Sequence, residues 1–146
     1  MKNSIHLFLA ACLALFFSQN ITAQSAPADS IYMMADKAAA FPGGPAKVTE
    51  YLVANVKMPQ KCRDIHLGGM SVVEFVVEKD GTPSSFKIGT SATERYVGEP
   101  EKFKLAKLFD EEALRLARKM PHWLPAEQNG QPVRMQMRLP VKFTIY

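Results

Sequence analysis

The sequence predicts an α+β domain in which two helices pack on one face of a three-stranded antiparallel sheet. Two observations on the pattern support this prediction. Apolar residues recur at helical spacing in two segments and alternate with polar residues in others, and the order along the chain is helix, strand, strand, helix, strand. Of the 146 residues, 47% are hydrophobic and 22% are charged, which is the balance of one globular domain.

The first helix is predicted over Pro45–Val56. Val48, Leu52 and Val56 repeat at i, i+4 and i+8, so they form one apolar stripe. The turn Phe41–Pro45 precedes this helix because proline is tolerated in a first helical turn. Met58-Pro59 ends it because a proline disfavours helical geometry in the residue before it.

A β-hairpin is predicted to follow the first helix. Alternate apolar residues of Met70–Lys79 share one face of a strand. Asp80-Gly81 favours a tight turn, and a second strand is expected near Ser85–Gly89.

The second helix is predicted to begin near residue 110. The preceding stretch, Ser91–Leu108, is charged and contains Gly98 and Pro100, so we expect an irregular loop there, with room for a helical turn from Lys102 to Leu108. Asp110, Glu111 and Glu112 would lie at the positive N-terminal end of the helix, and Pro121 would stop it. Its apolar stripe consists of Ala113, Leu116, Ala117 and Met120.

The last strand has the most regular pattern in the chain. Every odd position from Val133 to Ile145 is apolar, and the even positions are polar or proline, which predicts a long strand with one buried face. Pro140 has no N–H to donate to a neighbouring strand, so the strand lies at a sheet edge or has a bulge there.

Residues 1–23 are expected to be a secretory signal peptide that is cleaved between Ala23 and Gln24. Lys2 precedes the apolar stretch Ile5–Phe17, which would be about 20 Å long as a helix, and a bilayer core needs about 30 Å. Residues 24–37 would form a short leader that pairs or packs only from Ile31 onward, and residues 38–146 would form the domain.

Several kinds of chemistry are not expected. Cys62 and His66 are at i and i+4, but two ligands do not make a structural zinc site, so we expect a buried thiol and a surface histidine. No nucleophile elbow and no phosphate-binding glycine pattern occurs in the sequence. We therefore predict no catalytic residue, no cofactor and no metal. Trp123 and the pair Met135 and Met137 are expected to be core residues.

The net charge of +4 is modest, and no run of Lys or Arg is long enough to follow a phosphate backbone, so no nucleic-acid partner is expected.

An ordered set of short motifs resembles the C-terminal domain of TonB-family energy transducers, in the form common in Bacteroidetes. The set covers roughly residues 38–146. It consists of Phe41-Pro42-Gly43-Gly44, Tyr51-Leu52, Asn55, Pro59, Gly69, Asp80-Gly81, Asp110 to Arg115, Met120-Pro121, Trp123, Pro125, Asn129-Gly130, Pro132-Val133, Leu139-Pro140-Val141 and Phe143.

The resemblance implies a periplasmic domain that binds an extended segment of an outer-membrane transporter by adding it as a strand beside the last strand. An edge strand offers unpaired N–H and C=O groups for such an addition. Met58 and Pro59 match the position of the family's Tyr-Pro loop, which lies near the partner. The candidate partner-binding residues are Val133, Arg134, Met135, Gln136, Met137, Arg138, Met58 and Pro59.

The region upstream of the domain departs from a complete transducer, which has a membrane anchor and a long proline-rich stalk. Gln24–Ala40 spans at most about 60 Å when fully extended, which favours a secreted binding module. Two alternatives remain open. The N-terminus could stay uncleaved and make the protein a short membrane-anchored transducer, or the last strand could pair with its own copy in a structural homodimer.

Overall fold

The computed structural model of the protein describes residues 29–145. The predicted signal peptide, its cleavage site at Ala23/Gln24 and the first residues of the predicted leader lie outside this range, as does Tyr146. Within the described range, no helix is long and apolar enough to cross a membrane.

The α+β class is confirmed, but the predicted numbers of two helices and three strands are too low. Three α-helices and five strands occur in residues 29–145. The elements missed by the sequence pattern are two to five residues long, which is too short to show a period. In chain order the elements are β1 Ile31–Tyr32, α1 Pro45–Asn55, α2 Gln60–Asp64, β2 Gly69–Val77, β3 Pro83–Thr90, a 3-10 helix Ala92–Tyr96, α3 Pro100–Arg118, β4 Ala126–Gln128 and β5 Gln131–Phe143.

The sheet has the strand order β1-β5-β2-β3, and β4 pairs with the N-terminal end of β5. β2 and β5 form an unbroken antiparallel ladder from Gly69 opposite Phe143 to Val77 opposite Met135. β2 and β3 form the predicted hairpin, in which Asp80 accepts a hydrogen bond from the Thr82 N–H at 2.9 Å.

The core lies between α3 and one face of the sheet. The α3 stripe formed by Ala106, Phe109, Ala113, Leu116 and Ala117 is fully buried. It faces the odd-numbered residues of β2 and β5, and the Phe109 ring stacks on Phe143 with the ring centres 4.5 Å apart. The single buried face predicted for the last strand is therefore confirmed.

Two further expectations about buried residues are also confirmed. Trp123 is a core residue with 7% of its surface exposed. The Cys62 thiol is fully buried and lies 3.4 Å from the backbone oxygen of Leu105.

The irregular loop predicted over residues 91–108 is wrong, because α3 begins at Pro100 and a 3-10 helix precedes it. The helical turn expected from Lys102 to Leu108 is part of α3. Gly98 and Pro100 mark the start of the helix, since proline is favoured in the first helical turn. The charged residues that suggested a loop lie on the solvent side of α3. Asp110, Glu111 and Glu112 are therefore in the middle of α3, and their predicted position at its N-terminal end is corrected.

The described part of the predicted leader packs against the domain. The Lys37 N–H donates to the Glu127 oxygen at 3.1 Å, and the Ala40 N–H donates to the Leu124 oxygen at 3.0 Å. Asp36 accepts a hydrogen bond from the Asn129 N–H at 2.8 Å. The segment from Asp36 to Ala40 is thus fixed along β4 and the residues before it, while β1 pairs separately with β5.

Candidate functional site

The edge of β5 that faces away from β2, here called the outer edge, is only partly covered. β1 pairs in parallel with Arg134 and Met135. Within residues 29–145, no strand pairs with the outer edge beyond Met135. The predicted edge position is therefore correct for Gln136–Phe143 and wrong for Arg134 and Met135, because a two-residue strand from the leader lies beside them. The open part presents unpaired backbone groups, as an edge strand does.

Pro140 belongs to this open part. It lies opposite Val72 in a ladder without a register shift, so the alternative of a bulge between β2 and β5 is wrong. The irregular positions occur in the β2–β3 ladder instead. A proline is tolerated in a strand that has an open edge, because not every residue there needs to donate to a ladder.

A cleft of about 360 Å³ separates α1 from the open part of β5, and we call it the α1 cleft. Its wall on the helix side comes from Val48 and Leu52, which belong to the predicted apolar stripe. Its wall on the sheet side comes from Met137 and Pro140. Phe41 and Trp123 also line the cleft, which makes it largely apolar.

The position of α1 explains why the cleft stays open. None of the α1 side chains is fully buried. The helix is attached to α3 by the Tyr51 hydroxyl, which donates to the Leu116 oxygen at 2.9 Å, and by Arg115, which donates to the Asn55 oxygen at 2.9 Å. The Tyr51 hydroxyl is protonated at neutral pH and can donate this bond, and burial raises its pKa further above the ordinary value. The helix α1 is therefore held against α3, and the α1 cleft remains between it and β5.

The floor of the α1 cleft is an aromatic cluster around Trp123. Its ring centre lies 5.4 Å from that of Phe41 and 5.3 Å from that of Phe75, both in edge-on geometry. The Trp123 backbone N–H donates to the Gly81 oxygen at 2.8 Å. Gly81 has φ of 86°, and a Cβ atom there would lie 2.1 Å from the Trp123 oxygen, so only glycine fits the turn. The hairpin turn thus fixes the floor.

Three even-numbered side chains of β5 pair with carboxylates of β2 on the opposite face of the sheet, and one of them, Arg138, also lines the α1 cleft. The Arg134 guanidinium donates a hydrogen bond to the Glu78 carboxylate, with Nε and Oε2 2.7 Å apart. This hydrogen bond lowers the pKa of Glu78. Gln136 donates to Glu74 at 3.2 Å, and Arg138 lies 3.5 Å from Glu74. These three predicted partner-binding residues are therefore paired with carboxylates of β2. Arg138 is the most accessible of them, with 59% of its side chain exposed.

The structure separates Met58 and Pro59 from the strand residues predicted to bind the same partner. Both lie between α1 and α2, and Pro59 lines a cleft whose other walls include Leu108 and Glu111 of α3. The Lys57 N–H donates to Glu112 at 2.7 Å and fixes this connection to α3. The α1 cleft has different lining residues.

Sequence reasoning missed the contribution of Phe41, Val48, Leu52 and Trp123 to the candidate site. Their apolar character was visible, but it pointed to the core, and the gap beside β5 depends on how α1 rests on α3. No group of three or more metal-ligating side chains is placed to bind an ion within the described range.

Comparison with known proteins gives one finding that bears on the site. Residues 103–145, which include most of α3 and all of β5, match the family described as Gram-negative bacterial TonB protein C-terminal. A search of curated proteins finds no match to the chain.

Proposed function

With the resemblance to the TonB C-terminal family confirmed over residues 103–145, we propose that this domain binds an extended segment of an outer-membrane transporter by strand addition to the open outer edge of β5. The TonB C-terminal family is a non-enzymatic domain associated with transport, and it interacts with outer-membrane transporters. Its members belong to the cell envelope and place this domain in the periplasm.

The single observation that carries the proposal is the open stretch Gln136–Phe143 beside an apolar cleft. In strand addition, backbone hydrogen bonds supply affinity, and pockets for alternate side chains supply selectivity. The unpaired N–H and C=O groups of β5 provide the backbone hydrogen bonds. The α1 cleft provides the pocket, because it lies next to those groups and accepts an apolar side chain.

The proposal shifts the binding residues along β5. Val133 is paired with Ala126 of β4, and Arg134 and Met135 are paired with β1, so their backbones are occupied. Gln136, Met137 and Arg138 remain candidates, and the binding stretch extends beyond them to Phe143. Met58 and Pro59 would touch only a part of the partner that extends to α3.

The proposed location of the mature protein is the periplasm, with the signal peptide removed by cleavage between Ala23 and Gln24. Mass spectrometry of the protein from envelope fractions tests this part. A chain that begins at Gln24 in the soluble periplasmic fraction is expected, and an intact Met1 in the membrane fraction would favour the short membrane-anchored transducer.

Titration of the isotope-labelled chain with peptides from the periplasm-exposed segments of outer-membrane transporters tests strand addition. We expect shifts of the backbone amide signals along Gln136–Phe143, apart from Pro140, which has no N–H. Leu52→Arg, which places a charge in the α1 cleft, should weaken binding at least about tenfold. Val53→Arg is the matched control, because Val53 is 74% exposed and does not line the cleft.

Two outcomes would contradict strand addition. Amide shifts that avoid β5 would place the binding site elsewhere, and equal affinities of the two arginine variants would remove the α1 cleft from it. Light scattering at increasing protein concentration separates this function from a homodimer, in which the same open edge would pair with a second copy.

A further inference from the structure

We propose that β1 is an intramolecular competitor, which occupies the first part of the outer edge of β5 and is displaced when a partner strand binds. This inference rests on the proposed function. It goes beyond that function because it assigns a regulatory role to Ile31 and Tyr32 of the leader.

The first argument is position. Ile31 lies opposite Arg134 and Tyr32 lies opposite Met135, in parallel pairing. The outer edge continues without a strand partner from Gln136 in the described chain. A strand that pairs with Gln136–Phe143 and extends toward the start of β5 must therefore meet β1.

The second argument is that β1 is weakly attached. It is two residues long, and Ile31 is 44% exposed. Met33 and Met34, which follow it, are 64% and 85% exposed, so little apolar surface is buried next to the strand. Short elements with few buried contacts open at low free-energy cost.

The third argument is that the attachment of β1 on its N-terminal side is a surface contact. Arg134 donates to the backbone oxygen of Asp29 at 3.1 Å and to its carboxylate at 3.0 Å. The Asp29 side chain is 94% exposed, and exposed ion pairs contribute little. Arg134 also keeps Glu78 as a partner, so it stays paired when Asp29 leaves.

The fourth argument is that β1 can leave without unfolding the rest of the leader. Asp36, Lys37 and Ala40 are hydrogen-bonded to the segment from Leu124 to Asn129. Ala39 and Phe41 are buried in the core. The exposed residues Met33 and Met34 lie between this fixed part and β1, so a change of backbone conformation there is sufficient to release the strand.

Together these features describe strand displacement that starts from an open end. The partner first pairs with the free backbone of Gln136–Phe143 and then replaces β1 at Met135 and Arg134. Because the competitor belongs to the same chain, it reduces the apparent affinity by the fraction of molecules in which the edge is free. It would thereby disfavour partners whose binding free energy is smaller than the free-energy cost of displacing β1.

The test compares binding of labelled transporter peptides to the full secreted chain and to variants of it. Ile31→Pro combined with Tyr32→Pro removes both backbone donors of β1. We expect this variant to bind about tenfold more tightly than the unchanged chain. Ala38→Pro is the control, because this exposed residue lies outside the β1–β5 ladder and in the segment that stays attached when β1 leaves, and the affinity of this variant should be unchanged.

A second variant guards against misfolding of the double proline chain. Asp29→Asn changes only an exposed side chain and removes its charge opposite Arg134. It should give a smaller gain in affinity. In the absence of peptide, amide exchange at Arg134 and Met135 should be faster in the double proline variant and in Asp29→Asn than in Ala38→Pro.

The outcomes separate the inference from the function on which it rests. Equal affinities of all variants and the unchanged chain would overturn the competitor role and leave strand addition standing. Absence of peptide binding by every chain, including the one with prolines in β1, would overturn the proposed function and this inference with it.

Discussion

Asp110 shows how the role of one side chain depends on the element that contains it. The sequence placed it at the start of a helix, where the dipole alone explains an acid. In the middle of α3, its carboxylate instead accepts hydrogen bonds from the Ser71 hydroxyl at 2.7 Å, the Ser91 hydroxyl at 2.5 Å and the Ala92 N–H at 3.0 Å. One side chain thus joins α3 to β2 and to the start of the 3-10 helix.

Asp110→Ala should lower the free energy of unfolding by about 2–3 kcal/mol, because it leaves the fully buried Ser71 hydroxyl without its acceptor. Urea unfolding followed by the fluorescence of Trp123 measures this change, since the chain has one tryptophan. Glu111→Ala alters the exposed neighbouring acid and should stay within about 0.5 kcal/mol of the unchanged protein. Equal losses in both variants would show that the Asp110 contacts are not stabilising.

At the scale of elements, α3 is where the sequence pattern and the structure differ most. The residues Phe103, Ala106 and Phe109 continue the apolar stripe of the predicted second helix toward the N-terminus, at the same spacing. That signal was present in the sequence. It was obscured by the lysines between these residues, which in the structure lie on the outer face of the helix.

Lys104→Pro distinguishes the two descriptions of this segment. In a helix interior, a proline costs about 3 kcal/mol or more, since it removes a hydrogen bond and clashes with the preceding turn. We expect that loss in the free energy of unfolding, together with a lower helix signal in circular dichroism. Lys104→Ala is the matched control and should be close to neutral. A loss below about 1 kcal/mol for the proline variant would favour the loop that the sequence predicted.

The elements that could be predicted are the long ones, in which the pattern of apolar residues repeats several times. β5 was evident because apolar residues alternate along it without interruption, and the hairpin was evident from Asp80-Gly81. The leader was expected to pair or pack from Ile31 onward, where β1 begins, but its pairing with β5 could not be predicted, since two residues show no alternation. The same limit applies to the candidate site. The strand was predicted, whereas the α1 cleft and the short part of the outer edge that β1 covers depend on tertiary packing.

At the scale of the whole molecule, two carboxylates connect parts that are distant in sequence. Glu78 follows β2 and accepts hydrogen bonds from Arg134 of β5 and Ser84 of β3. Glu112 accepts from Arg115 and from the Lys57 N–H, which connects α3 to the segment after α1. The pKa of Glu78 is lowered first by its hydrogen bond with Arg134. For Glu112, burial opposes the change, but Arg115 and Lys57 together lower the pKa.

These lowered pKa values predict how stability depends on pH. A carboxyl group whose pKa is lower in the folded state than its ordinary value of 4.5 binds fewer protons when folded. Its contribution is therefore fully present above about pH 4.5 and is lost as the pH falls through the lowered pKa. Unfolding free energies measured in urea between about pH 7 and about pH 3 should decrease on the acid side.

Glu78→Gln and Glu112→Gln should each reduce stability at about pH 7 and lose that difference as the pH falls, because the unchanged protein becomes protonated at the same position. Glu111→Gln is the control, since Glu111 is exposed, and its free energy of unfolding at about pH 7 should stay within about 0.5 kcal/mol of that of the unchanged protein. Differences for Glu78→Gln and Glu112→Gln that stay constant down to about pH 3 would show that neither carboxylate is stabilised by folding. A narrowing difference for Glu78→Gln alone would assign the acid sensitivity to the Arg134 pair, which also contacts Asp29 beside β1.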